Sequence, residues 1–92
     1  MIRSFKHKGL EQFFRNGTKS GIQAKHAVKL RLVLGRLNAA VVSKDMDLPG
    51  LDLHVLGGKR AGIWSVKISG NWRMTFRFEN GHADYVNYED YH

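Results

Sequence analysis

His54, Arg73 and the closing run Asp90-Tyr91-His92 are the side chains of this chain best suited to work on a phosphodiester. An imidazole exchanges protons near neutral pH, and a planar guanidinium can grip a phosphate through two parallel contacts. A carboxylate beside an imidazole steadies its charged form, and a tyrosine ring can stack on an unpaired base. These are the needs of metal-independent RNA cleavage. A base deprotonates the ribose 2′-hydroxyl, an acid protonates the leaving 5′-oxygen, and positive charge meets the phosphorane between them.

Other chemistries find less support. The five histidines, His7, His26, His54, His82 and His92, show no H-x-x-x-H or H-E-x-x-H spacing, so no metal site and no cofactor are expected. His7, His26 and His82 read as surface residues. Gly57-Gly58-Lys59-Arg60 lacks the G-x-x-x-x-G-K-[ST] spacing of a phosphate loop and no helix pattern follows it, which argues against nucleotide hydrolysis. Lys59 and Arg60 nevertheless bring charge beside His54. Cysteine is absent, which excludes disulfides and thiolate nucleophiles.

The elements that must position these residues follow from hydrophobic period. Trp72, Met74, Phe76 and Phe78 alternate with Arg73, Thr75, Arg77 and Glu79, and Trp64, Val66 and Ile68 alternate with Ser65, Lys67 and Ser69. Leu51, Leu53 and Val55 alternate with Asp52 and His54, and His82 to Tyr88 supplies a last strand. Gly57-Gly58, Gly70-Asn71 and Asn80-Gly81 read as hairpin turns between them, so the four strands form an antiparallel meander. Ahead of the strands, Leu10, Phe13 and Phe14 stand at helical spacing before an Asn16-Gly17 stop. A longer helix is predicted from Ile22 to about Val42, with Ala27, Leu30, Leu34, Leu37 and Val41 as its apolar stripe. Met1 to Phe5 can add a short fifth strand.

This layout predicts an α+β fold in one domain, residues 1–92. Two N-terminal helices pack on one face of a curved, mainly antiparallel sheet of four to five strands, burying the Trp72/Met74/Phe76/Phe78 row. Arg73, Thr75, Arg77, Ser65 and Lys67 are then left on a polar, solvent-facing concave side. Tyr85, Val86 and Tyr88 give the last strand apolar weight to anchor the Asp90-Tyr91-His92 end.

A formal charge of +7 over 92 residues, with a pI near 10.1, suits a polyanionic partner. Lys25, Lys29 and Arg36 share a flank of the long helix and can face either solvent or a phosphate backbone. No apolar run is long enough to span a membrane and no leader pattern opens the chain, so it is expected to be soluble and cytoplasmic.

At this level of detail the chain resembles the HigB toxins of the RelE/ParE superfamily. The likeness is carried by His54 with its Gly-rich basic turn, by Arg60-Ala61-Gly62-Ile63-Trp64-Ser65, by Asn71-Trp72-Arg73-Met74-Thr75-Phe76, and by Asn87-Tyr88-Glu89-Asp90-Tyr91-His92. The resemblance implies the RelE-like microbial ribonuclease fold and a ribosome-dependent endoribonuclease that cuts mRNA in the ribosomal A site. It also implies a HigA-like helix-turn-helix antitoxin, with the 70S ribosome and its rRNA as partners and operator DNA reached only through the antitoxin complex. Carried over position by position, Arg73 stabilises the phosphate while His54, Asp90, Tyr91 and His92 surround the scissile bond. Lys59, Arg60, Arg77, Lys25, Lys29 and Arg36 are the candidate RNA-binding residues. Gly57 stands where relatives can show a lysine, and Lys59 is the candidate to replace it. Two other readings remain open: a ParE-like gyrase-inhibiting toxin on the same scaffold, and a non-catalytic basic module that binds RNA or DNA through the helix flank.

Overall fold

In the computed structural model, which describes residues 1–90, two helices precede a four-stranded antiparallel sheet of order β1-β2-β3-β4. Helix α1 spans Lys8–Asn16. His7 caps its start, its Nδ1 accepting the Leu10 N–H at 2.9 Å, and Gly17 closes it in the left-handed region at φ 75°. Leu10 and Phe13 point into the core, as their spacing predicts.

Helix α2 covers Ala27–Ala39, shorter than the predicted Ile22-to-Val42 span. A tight 3-10 turn, Ala24–His26, occupies its expected first turn. At the other end Ala40 is extended, and the Asp45 carboxylate accepts the N–H groups of Val41 and Val42 at 2.8 and 3.1 Å. A side-chain acceptor so close in sequence competes with further helix. Val41 is therefore exposed rather than part of the stripe, and Val33 joins Ala27, Leu30, Leu34 and Leu37 in the core. No helix among the described residues is long and apolar enough to cross a membrane.

Strand β1 is only His54–Val55; β2 is Trp64–Ser69, β3 Trp72–Glu79 and β4 His82–Asp90. The β3–β4 connection is the tight hairpin that Asn80-Gly81 predicts, both residues having positive φ, 51° and 79°. Gly57-Gly58 does not make such a hairpin. A short 3-10 turn at Gly58–Arg60 intervenes, and the connection closes where the Leu56 N–H donates to the Ile63 carbonyl at 2.7 Å. The predicted short N-terminal strand appears as two isolated parallel bridges to β4, Ile2 to Ala83 and Phe5 to Val86.

The core lies between α2 and the face of the sheet carrying Val66, Ile68, Met74 and Phe76, with Tyr88 and Val86 from β4. Trp72 and Phe78 complete that row only in part, being half-buried. Burying such side chains contributes about 1.5–3 kcal/mol each, which fixes the opposite parity, including Arg73 and His54, on the open face.

Candidate active site on the open face of the sheet

Register lines up the open-face residues in rungs. His54 pairs with Ser65, Ser65 with Thr75 and Thr75 with Asn87, so one rung crosses all four strands. The neighbouring rung is Lys67, Arg73 and Glu89. Strand spacing puts the His54 and Arg73 Cα atoms about 12 Å apart on one surface.

Arg73 stands directly opposite Glu89, the arrangement in which a cross-strand ion pair would form. Glu89 is engaged elsewhere. Its two carboxylate oxygens accept from Arg60 Nη1 at 2.7 Å and Nη2 at 3.3 Å, and Asn87 Nδ2 adds a third bond at 3.0 Å. Arg73 instead donates through Nη1 to the carbonyls of Gly70 and Trp72, at 2.8 and 3.3 Å, and pairs with no carboxylate among the described residues. The β2–β3 turn thus holds the guanidinium without neutralising it, leaving its charge available to an incoming phosphate.

His54 is exposed, with Nδ1 within 3.0 Å of the Asp52 carbonyl oxygen. A backbone acceptor at Nδ1 favours the tautomer protonated there and leaves Nε2 as the outward nitrogen. Asp52 reaches this position with a positive φ of 50°. Asp90 pairs with Trp72 at the same end of the sheet as Arg73, but strand alternation assigns it to the Trp72 side. Asp90 therefore flanks that end rather than sharing a face with Arg73 and His54. Tyr91 and His92, the other two expected members of the site, lie outside the described residues.

The expectation of a wet open face needs correction. Ser65 and Thr75 are 2% and 3% exposed. The segment from Leu56 to Ile63 folds over the sheet, with Arg60 reaching across to Glu89 on β4 and the Gly62 backbone packing near Arg77 Nη1. Beside this strap lies a groove of about 400 Å³ lined by Lys6, Lys59, Arg60, Arg77, Tyr85 and Asn87, with Thr75 on its floor. The expected cations Lys59, Arg60 and Arg77 do come together here. Lys6, Tyr85 and Asn87 were not anticipated, although the position of Lys6 beside the β4-pairing Phe5 is visible in the alternation of Ile2 to Phe5. Arg60 differs from its neighbours in being ion-paired.

The helix flank is separate from this surface. Lys25 is exposed in the turn before α2, while Lys29 and Arg36 border a shallow groove of about 250 Å³ against Leu48, Pro49 and Leu51, in the helical layer.

Of the three histidines expected at the surface, one is buried and two are half-buried. His26 is 3% exposed, its Nδ1 in a short hydrogen bond with the Tyr88 hydroxyl, its ring edge-on to Trp72 and Tyr88. Burial, then Lys25 and Lys29, hold its pKa below the ordinary imidazole value. His7 is half-buried as the α1 cap, and burial lowers its pKa as well. His82 is also half-buried. The signal for His26 was present: it stands four residues before Leu30, on the α2 stripe.

The chain matches, over residues 3–92, the family model described as RelE-like toxin of type II toxin-antitoxin system HigB. It is 42% identical over 92 residues to Endoribonuclease HigB of Proteus vulgaris, covering the whole of both chains.

Proposed function

Because the chain belongs to the HigB-like family of RelE-like toxins of type II toxin-antitoxin systems, we propose that it is an endoribonuclease that cuts mRNA in the ribosomal A site and so arrests translation. A cognate antitoxin is the partner that membership of this family implies, and a HigA-like protein with a helix-turn-helix is the form we assign to it. The observation that carries the catalytic reading is the charge state of the open face. Glu89, the one carboxylate in register with Arg73, is taken by Arg60.

In the proposed mechanism the ribose 2′-oxygen attacks the adjacent phosphorus while its proton passes to one imidazole. A pentacoordinate phosphorane forms, and the P–O5′ bond breaks as a second group returns a proton to the leaving oxygen. The products are a 2′,3′-cyclic phosphate and a 5′-hydroxyl. Arg73 meets the charge on the non-bridging oxygens, with Lys59 as a second cation. His54 and His92 are the candidates for the two proton transfers, Asp90 supports an imidazolium, and Tyr91 stacks on a base. Lys25, Lys29 and Arg36, on the helical layer, serve contact with ribosomal RNA.

The test is cleavage of a defined mRNA on purified 70S ribosomes. Arg73→Ala is expected to slow cleavage by about 10²–10³-fold with its circular dichroism unchanged, and deletion of His92 to lose cleavage as well. Full activity in Arg73→Ala would remove the assignment. Inhibition of purified gyrase without ribosomes would instead favour the gyrase-directed reading.

A further inference from the structure

Tyr85 is the anomaly of the open face. It is a bulky, non-glycine residue with φ of 54°, a conformation that costs of order 1–3 kcal/mol and persists only where its surroundings enforce it. The enforcement is visible. Register changes between Thr75–Asn87 and Arg77–Asp84, so Tyr85 and Val86 together oppose Phe76 in a β-bulge. The N-terminal segment clamps that bulge: Ser4 Oγ accepts the Tyr85 N–H at 2.9 Å, the Ser4 carbonyl accepts the Val86 N–H at 3.1 Å, and the Val86 carbonyl accepts the Lys6 N–H at 2.9 Å. Asp84, held by Arg3 and Ser4, locks the preceding residue.

By resetting the alternation of β4 the bulge lets Ala83 and Val86, three residues apart, both face the core, but it does not bury Tyr85 itself, which remains 59% exposed. The bulge also leaves an aromatic ring on the wall of the 400 Å³ groove, beside Lys6, Lys59 and Arg77. None of those three cations pairs with a carboxylate among the described residues. An exposed ring next to uncompensated positive charge is the arrangement that holds an unpaired nucleotide, the base stacked and the phosphate neutralised. The groove volume falls within the roughly 300–1,000 Å³ of clefts that enclose ligands of this size. Arg77 lies four residues along β3 from Arg73, about 13 Å at strand rise, while Lys59, assigned above to the phosphorane, also lines the groove, so this place adjoins the scissile phosphate and extends beyond it.

We propose that the groove is a second RNA subsite, in which Tyr85 is the stacking platform for an unpaired nucleotide and Lys6 and Arg77 bind its flanking phosphates. It rests on the reading of the chain as an RNA-cleaving toxin and extends it to substrate positioning. The nucleotide can come from the message or from ribosomal RNA.

Tyr85→Asn tests this, because asparagine tolerates the left-handed conformation while removing the ring; Tyr85→Gly is the second variant. Both are expected to unfold at or above the wild-type temperature. Their affinity for a fluorescein-labelled single-stranded RNA oligonucleotide, or for message-free 70S ribosomes, is expected to fall about tenfold. Loss on the oligonucleotide identifies the message as the source, and loss on the ribosome alone identifies ribosomal RNA. Tyr85→Phe is expected to rescue binding to within about twofold of wild type. Unchanged affinity in both assays, or a Tyr85→Phe variant as weak as Tyr85→Asn, overturns the subsite. Arg73→Ala in the ribosome cleavage assay separates the two ideas: full cleavage there sinks the catalytic assignment alone, and unaltered RNA affinity in Tyr85→Asn sinks the subsite alone.

Discussion

His26 shows what single residues contribute and how they are misread. It lies between Trp72 and Tyr88 with one ring nitrogen bonded and the other, Nε2, buried without a partner among the described residues. A neutral imidazole accepts this environment and an imidazolium does not. Since the folded-state pKa is lowered, the unfolded chain takes up the proton first as pH falls below about 6.5. Stability is therefore full above that pH and is lost as pH falls toward the folded value, and His7 acts in the same direction. The unfolding temperature is expected to drop between pH 7 and pH 5, with a shallower slope in His26→Gln. An unaltered slope would exclude His26 as the cause. Asp84, held low by its hydrogen bond to Arg3, enters only in a more acid window, below about 3.8. Among site residues, His54 and Arg73 were legible because strand parity decides which side they face. His26 was not, since a polar residue within the predicted helix looks like a surface residue until its spacing to Leu30 is counted.

Elements meet at closer range than their periodicity reveals. Gly9 sits inside α1 and Gly21 in the turn ahead of α2, and an added Cβ at Gly9 would stand 2.6 Å from the Gly21 carbonyl oxygen. One added at Gly21 would lie 2.5 Å from the Gly9 Cα. Both obstacles are backbone and cannot swing away. Alanine in a helix interior ordinarily stabilises by about 1 kcal/mol relative to glycine. Here the sign should reverse, with Gly9→Ala and Gly21→Ala each losing about 1–3 kcal/mol in urea unfolding; a gain at Gly9 would refute the close packing. Helix existence was readable from the Leu10/Phe13 and Leu30/Leu34/Leu37 spacings. The ends of α2 were not, because Asp45 captures the Val41 and Val42 N–H groups from beyond the stripe.

Across the whole molecule, strand order and the buried sheet face followed from alternation and turn residues. The cover on the open face did not, because Arg60 and Glu89 meet 29 positions apart and neither belongs to a local pattern. The same holds for the groove, whose Lys6 comes from one end of the sequence and whose Tyr85 comes from near the other. With Lys6 and Arg77 each neutralising one flanking phosphate, the subsite should contribute about −1.4 to the log–log slope of single-strand RNA affinity against salt. Lys6→Ala should flatten it by about 0.7; an identical slope would remove Lys6 from the contact. The parallel bridges of Ile2 and Phe5 to β4 have a consequence for biosynthesis. Ile2 and Phe5 find their partners only after the residues up to Val86 have been joined, so a nascent chain cannot close this side of the groove until β4 has been made.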